Sequence, residues 1–167
     1  NYRGYIDEAL QSFADLGFQV EVLDISACDR ETAQAKIFQS KLLYISGGNT
    51  FYLLQELKKK QLLSLIKEQI ADGMVYVGES AGAVITAEDI DYIRLMDDKE
   101  VAGELSDTVA LKEADFYLLP HAGEEPFVES SQATLDTYSD QLDLLLLNNH
   151  QAVLVEDEEV KVLEENK

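Results

Sequence analysis

The chain reads as an α/β protein, with a doubly wound, mostly parallel sheet, helices on both faces and a C-terminal β-hairpin. Three observations predict this. Helical and extended hydrophobic patterns alternate along the sequence. The run Met74-Val75-Tyr76-Val77 is apolar throughout, the pattern of a strand buried on both faces of a parallel sheet. Two apolar runs end in glycine-bearing turns that open helices, which places the chemistry at the carboxyl ends of strands.

Each element follows from its own pattern. Tyr5, Ile6, Leu10, Phe13, Ala14 and Leu16 recur at helical spacing and stop at Gly17, so the chain enters inside a helix. Residues 18–25 alternate as a strand, 30–39 as a helix, and 42–46 form a short apolar run ending at Gly47-Gly48. Helices are predicted over 50–59 and 62–72, then the strand 74–77. Further extended runs lie at 116–119, 143–147, 152–155 and 160–163, with a helix over 128–142. Glu156-Asp157-Glu158-Glu159 reads as the acidic turn of the closing hairpin. The polar segment 97–111 reads as a surface excursion.

A length of 167 residues with 46% hydrophobic composition suits one domain with its own core. No repeat, linker or low-complexity tract divides it. The 33 acidic and 13 basic side chains leave a formal charge of -20, which would repel nucleic-acid backbones and anionic membrane surfaces. Neither is an expected partner, and homo-oligomerisation stays open. The lone Cys28 excludes an intrachain disulfide and a thiol zinc cluster, and is expected to be a small buried side chain. With no spanning apolar stretch and no signal-peptide pattern, a cytoplasmic protein is expected.

Residues Gly78, Ser80 and Gly82 form a G-x-S-x-G pattern directly after the apolar strand. Such a turn exposes the serine oxygen at a strained strand-to-helix junction, beside backbone N–H groups that can face an oxyanion. An activated serine needs a base. Of the two histidines, His121 follows an apolar strand through Pro120 and is the better candidate. His150 sits in a polar turn and is expected to be solvated. The orienting acid is sought among Asp89, Asp91, Asp97 and Asp98; Asp97 and Asp98 follow the apolar segment that ends at Met96, Asp89 and Asp91 lie closer to the elbow helix, and Asp98 is favoured over Asp97. Gly47-Gly48-Asn49-Thr50 opens the helix over 50–59, so its N–H groups would complete an oxyanion hole begun by Ala81. It lacks the spacing of a phosphate-binding loop. Neither histidine has a partner at metal-ligand spacing, so no metal and no organic cofactor are expected.

These residues resemble peptidase family S51, the serine peptidases that include aspartyl dipeptidase and cyanophycinase. The resemblance rests on Gly47-Gly48-Asn49-Thr50-Phe51 with Leu53-Leu54, on Gly78-Glu79-Ser80-Ala81-Gly82-Ala83, and on Pro120-His121, in that order. It covers most of the chain and implies a fold similar to class I glutamine amidotransferases, with serine in place of their cysteine. It implies Ser80 as nucleophile, His121 as base, Gly48 and Ala81 as oxyanion donors, and Asp98 as the third member by spacing. It also implies a leading strand and loop before the first helix. Aspartyl dipeptidases carry arginines after the histidine to pair with a substrate aspartate. Here no lysine or arginine occurs from Glu113 to Val160, while twelve acidic residues do. Asn49, Glu124 and Glu125 are therefore the candidate substrate contacts, the two glutamates for a free amino group or a basic side chain. Arg94, Lys99 and Lys112 are expected in surface salt bridges. The implied substrate is a short peptide, hydrolysed through an acyl-enzyme, with esters as the other acyl substrates open to the same residues and a silent binding protein as the non-catalytic reading.

Overall fold

The computed structural model describes residues 4–157 and 159–165. The described chain runs α1 (Gly4–Asp15), α2 (Arg30–Gln39), β1 (Leu42–Ile45), α3 (Thr50–Lys59), α4 (Leu63–Ala71), β2 (Val75–Gly78) and α5 (Ala81–Val84). It continues through short 3-10 helices at Asp91–Leu95 and Lys99–Ala102 to β3 (Tyr117–Leu119), α6 (Val128–Tyr138), β4 (Leu144–Leu146), β5 (Gln151–Glu156) and β6 (Glu159–Glu164). This is an α/β fold, and among the described residues no helix is long and apolar enough to cross a membrane.

Two parallel strand pairs position everything that follows. β1 lies along β2 with Ile45 opposite Gly78, so the Gly47-Gly48 turn and the Ser80 turn leave the sheet side by side. β3 lies along β4 with Leu119 opposite Leu146, which brings Pro120-His121 beside Asn148-Asn149. β5 and β6 pair antiparallel. The turn between them includes Glu158, which lies outside the described residues.

Capping explains why α2 and α3 start where they do. Asp29 accepts the Thr32 N–H at 2.7 Å, and this bond holds its carboxyl below the usual aspartate range. Asn49 accepts the Tyr52 N–H at 2.9 Å to cap α3. A second acceptor serves the same helix, because Asp97 takes the Thr50 N–H at 2.8 Å. Lys58 and Lys59 occupy the last turn of α3, where the helix dipole favours cations. The inner face of α3 supplies Phe51 and Leu54, which meet Leu62, Ile66, Ile85, Ile90, Ile93 and Leu119 in one fully buried cluster. Each such side chain contributes about 1.5–3 kcal/mol on removal from water.

Four expectations need correction. β2, expected to be buried on both faces, leaves Val75 exposed and Tyr76 and Val77 half-buried. Residues 18–25 form no strand, and Phe18, Val20 and Val22 remain exposed. Alternation makes a strand only where a neighbour supplies ladder partners, and none of the described segments does so there. The segment 97–111 is a surface excursion only in part: most of it is exposed, but Ala102, Ala110 and Leu111 are buried, and the Leu111 N–H reaches Ile85 O at 3.0 Å. Asp97 and the Asn49 bond to Asp98 O anchor its start on the N-terminus of α3. Cys28 is half-buried rather than fully buried, with its Sγ 3.9 Å from Ile25 O.

Candidate active site

Ser80 occupies a strained turn between β2 and α5, with φ 49 and ψ -110. A side chain rarely adopts such a conformation, which costs of order 1–3 kcal/mol and is held only by its surroundings. Close packing supplies the hold. A Cβ on Gly78 would lie 2.4 Å from Gly82 O, and one on Gly82 would lie 2.1 Å from Ile45 O. The two outer glycines of the motif are thus demanded by backbone approach, since neither has positive φ. Tyr76 fastens the start of α5 by donating its hydroxyl to Gly82 O at 2.6 Å. Next to the serine, the Tyr44 hydroxyl donates to the Glu79 carboxylate. Burial, together with that bond and charge, pushes the Tyr44 phenol well up.

The Gly47-Gly48 turn stands against the serine, so that a Cβ on Gly47 would come 3.3 Å from Ser80 Cβ. Gly48 has φ 142, a conformation that favours glycine. Ala81 is the first residue of α5, where a backbone N–H has no carbonyl one turn back to receive it. The Asn49 side chain is occupied at both ends, accepting from Tyr52 and donating to Asp98 O at 2.9 Å.

His121 reaches the serine from the end of β3. Its Nε2 lies 2.9 Å from Ser80 Oγ, and its Nδ1 lies 2.6 Å from Asn149 Oδ1. An amide oxygen has no proton to give, so Nδ1 donates and Nε2 keeps its lone pair toward Ser80. The histidine itself has φ 58, and the following Ala122 N–H bonds to Leu147 O at 3.0 Å. Strand register therefore places the imidazole. Its ring stacks on Phe127, with centroids 4.8 Å apart and planes 20° apart.

The acid expected at Asp98, or at Asp97, does not meet the imidazole. Asp98 accepts the Glu100 N–H at 2.9 Å, and Asp97 is bound to Thr50, as described above. Asp89 and Asp91 are likewise engaged elsewhere, with Thr108 and with Arg94. Asn149, at the carboxyl end of β4, stands where the acid was sought. It lies 28 positions beyond His121, outside the stretch between serine and histidine. The available signal was that two neighbouring parallel strands place their following loops side by side.

Of the candidate substrate contacts, Glu124 is half-buried and donates its N–H to His121 O at 3.0 Å, while Glu125 is exposed. The cations are paired: Arg94 and Lys99 with Asp91, Lys112 with Glu88. His150 is exposed, with Nδ1 at 2.9 Å from Glu165. Among the described residues, no cluster of three or more histidine, cysteine, aspartate or glutamate side chains could hold a metal ion.

Comparison with known proteins identifies the family. The model of peptidase family S51 matches residues 1–163. An uncharacterized peptidase of Pasteurella multocida is 44% identical over 154 residues, which cover 92% of this chain and 74% of that protein. A peptidase E of a Shewanella species is 36% identical over 123 residues, covering 72% of this chain and 48% of that protein. A crystal structure from Listeria monocytogenes EGD-e, provisionally assigned as a peptidase E protein, superposes with a TM-score of 0.94 at 37% identity, covering 99% of this chain and 80% of that one. The chain belongs to peptidase family S51 and is a serine peptidase.

Proposed function

We propose that this peptidase hydrolyses short peptides, dipeptides foremost, through an acyl-enzyme on Ser80. The observation that carries the reading is the 2.9 Å approach of His121 Nε2 to the oxygen of a serine held in a strained elbow. Ser80 Oγ attacks the peptide carbonyl as its proton passes to His121 Nε2. The imidazolium then protonates the leaving amine, and a water, deprotonated by the same nitrogen, releases the acid from Ser80. Gly48 and Ala81 N–H groups donate to the oxyanion in both tetrahedral states, each worth roughly 3 kcal/mol by precedent. Asn149 fixes the Nδ1–H tautomer and ring direction. The surrounding architecture is read as one doubly wound domain of glutamine amidotransferase type, with a closing β-hairpin, working in the cytoplasm without a cofactor.

Charge sets the side-chain preference. Glu124 and Glu125 follow the histidine where an acidic substrate would need a cation, and Arg94, Lys99 and Lys112 are already paired. Mass-spectrometric turnover of a dipeptide and short-peptide library tests this reading. Peptides with neutral or basic N-terminal residues are expected to be cleaved faster than Asp-initiated ones. A tenfold preference for N-terminal aspartate would overturn the specificity, and hydrolysis of esters but no peptide would overturn the peptide substrate.

The neutral third member makes its own prediction. Asn149→Asp places an anion on Nδ1, which stabilises the imidazolium. We expect kcat to rise about tenfold and the acidic limb of kcat/KM to move to higher pH. An Asn149→Asp variant slower than the parent at every pH would show that the amide does more than orient.

A further inference from the structure

His121 must become a cation each time Ser80 gives up its proton, yet the group on its Nδ1 is a neutral amide. The face of Phe127 is the other feature against the ring, at 4.8 Å between centroids and 20° between planes. A series of turns delivers it there. Glu124 N–H returns to His121 O at 3.0 Å, Phe127 N–H returns to Glu124 O at 2.7 Å, and α6 starts immediately after Phe127. The Gly123 N–H, at 3.4 Å from the buried Ser131 hydroxyl, ties the turn to α6. The loop between β3 and α6 therefore ends by laying an aromatic face over the imidazole that begins it.

We propose that Phe127 is a positioning residue for His121, whose ring face fixes the imidazole plane and stabilises the imidazolium, taking part of the electrostatic role that neutral Asn149 cannot fill. An aromatic face carries the negative end of the ring quadrupole and attracts a cation stacked on it, while a neutral imidazole gains less. The effect favours the charged form of His121, which is the form that accompanies each tetrahedral intermediate. The kinetic part of this inference rests on the hydrolytic mechanism proposed above; the electrostatic part does not.

Other groups around the imidazole are the same in the parent and in a Phe127 variant. Ser80, Asn149 and Glu124 touch His121 directly, and the further titratable groups on the neighbouring segments are Glu79, held by Tyr44, His150, paired to Glu165, and Glu125 and Glu129 on the loop and the first turn of α6. Phe127→Leu keeps apolar bulk over the imidazole and removes the π face, whereas Phe127→Tyr keeps the face.

The test is a histidine NMR titration of the full chain without substrate, where two histidines make assignment simple and His150→Gln identifies the second set. Phe127→Leu is expected to lower the His121 pKa by about half a unit, threefold in its protonation equilibrium, and Phe127→Tyr to leave it in place. In kinetics, Phe127→Leu should cut kcat about threefold with KM unchanged and move the acidic limb down with the titration. That effect should shrink in an Asn149→Asp background, where a carboxylate already meets the charge. An unchanged or raised His121 pKa in Phe127→Leu overturns the proposal, even if Ser80-dependent hydrolysis is intact. A lowered pKa in a chain that hydrolyses no peptide would uphold the stacking role and overturn the peptidase mechanism. Should Phe127→Leu not fold, Phe127→Met carries the same comparison with Phe127→Tyr.

Discussion

Replacing Ser80 with alanine is expected to reduce turnover by about six orders of magnitude, and replacing it with glycine to do the same while making the protein more stable. The first result follows from loss of the attacking oxygen. The second follows from the backbone, because Ser80 sits at φ 49, ψ -110 with no side-chain bond to cap α5. Glycine reaches such angles without the Cβ penalty, and alanine does not. The gain is offset partly by the greater freedom of glycine in the unfolded chain, by about 0.4–1 kcal/mol. A net stabilisation of roughly 1 kcal/mol is therefore expected, a shift of about 2–4 °C in Tm for a chain of this size. Thermal denaturation of Ser80→Gly beside Ser80→Ala reads it directly. A Ser80→Gly variant less stable than Ser80→Ala would mean that the elbow is not strained.

Gly82→Ala carries the largest expected loss of stability. The added methyl would sit 2.1 Å from Ile45 O, and Ile45 is the last residue of β1, opposite Gly78 across the parallel pair. Backbone on both sides must move, so the cost exceeds ordinary overpacking and reaches about 3 kcal/mol or more. Function should fall further than stability. Movement between β1 and α5 separates the Gly48 turn from Ser80, and an error of about 1 Å between donor and nucleophile costs roughly a hundredfold. Urea unfolding and kcat/KM of the folded fraction measure the two losses separately. Gly103→Ala is the control, since a Cβ there meets nothing within 4 Å and its φ is negative. If Gly82→Ala matches Gly103→Ala in stability, close approach is not what requires the glycine.

What the sequence made legible was local, and what it hid was set by pairing between distant segments. The glycines of the elbow, the helix after Asn49 and the histidine after Pro120 each follow from a few adjacent residues. The partner of His121 does not. Asn149 meets Nδ1 only because Leu119 lies opposite Leu146, a register that no local pattern around either residue encodes. Its identity hides it as well, since a serine–histidine pair points to a carboxylate and a polar turn rich in amides reads as solvent-facing. The aspartates between serine and histidine serve another end: Asp97 completes the N-terminus of α3, and Asp98 caps the short helix after it. The same dependence on partners explains residues 18–25. Their alternation is strand-like, yet a strand also needs a neighbour with free carbonyls and N–H groups along its edge.

Phe127 was invisible for a related reason. It lies six positions after His121, in a loop whose spacing belongs to no helix or strand face. Only the succession of turns at Glu124 and Phe127 brings the two rings together.

The central claim is that Ser80 is a nucleophile activated by His121, and covalent labelling with a fluorophosphonate probe, mapped by peptide mass spectrometry, tests it most directly. The account predicts a single adduct on Ser80, absent in Ser80→Ala and formed at least a hundredfold more slowly in His121→Ala. Labelling of Ser80 at the same rate without the imidazole, or an adduct on a different serine, would contradict it.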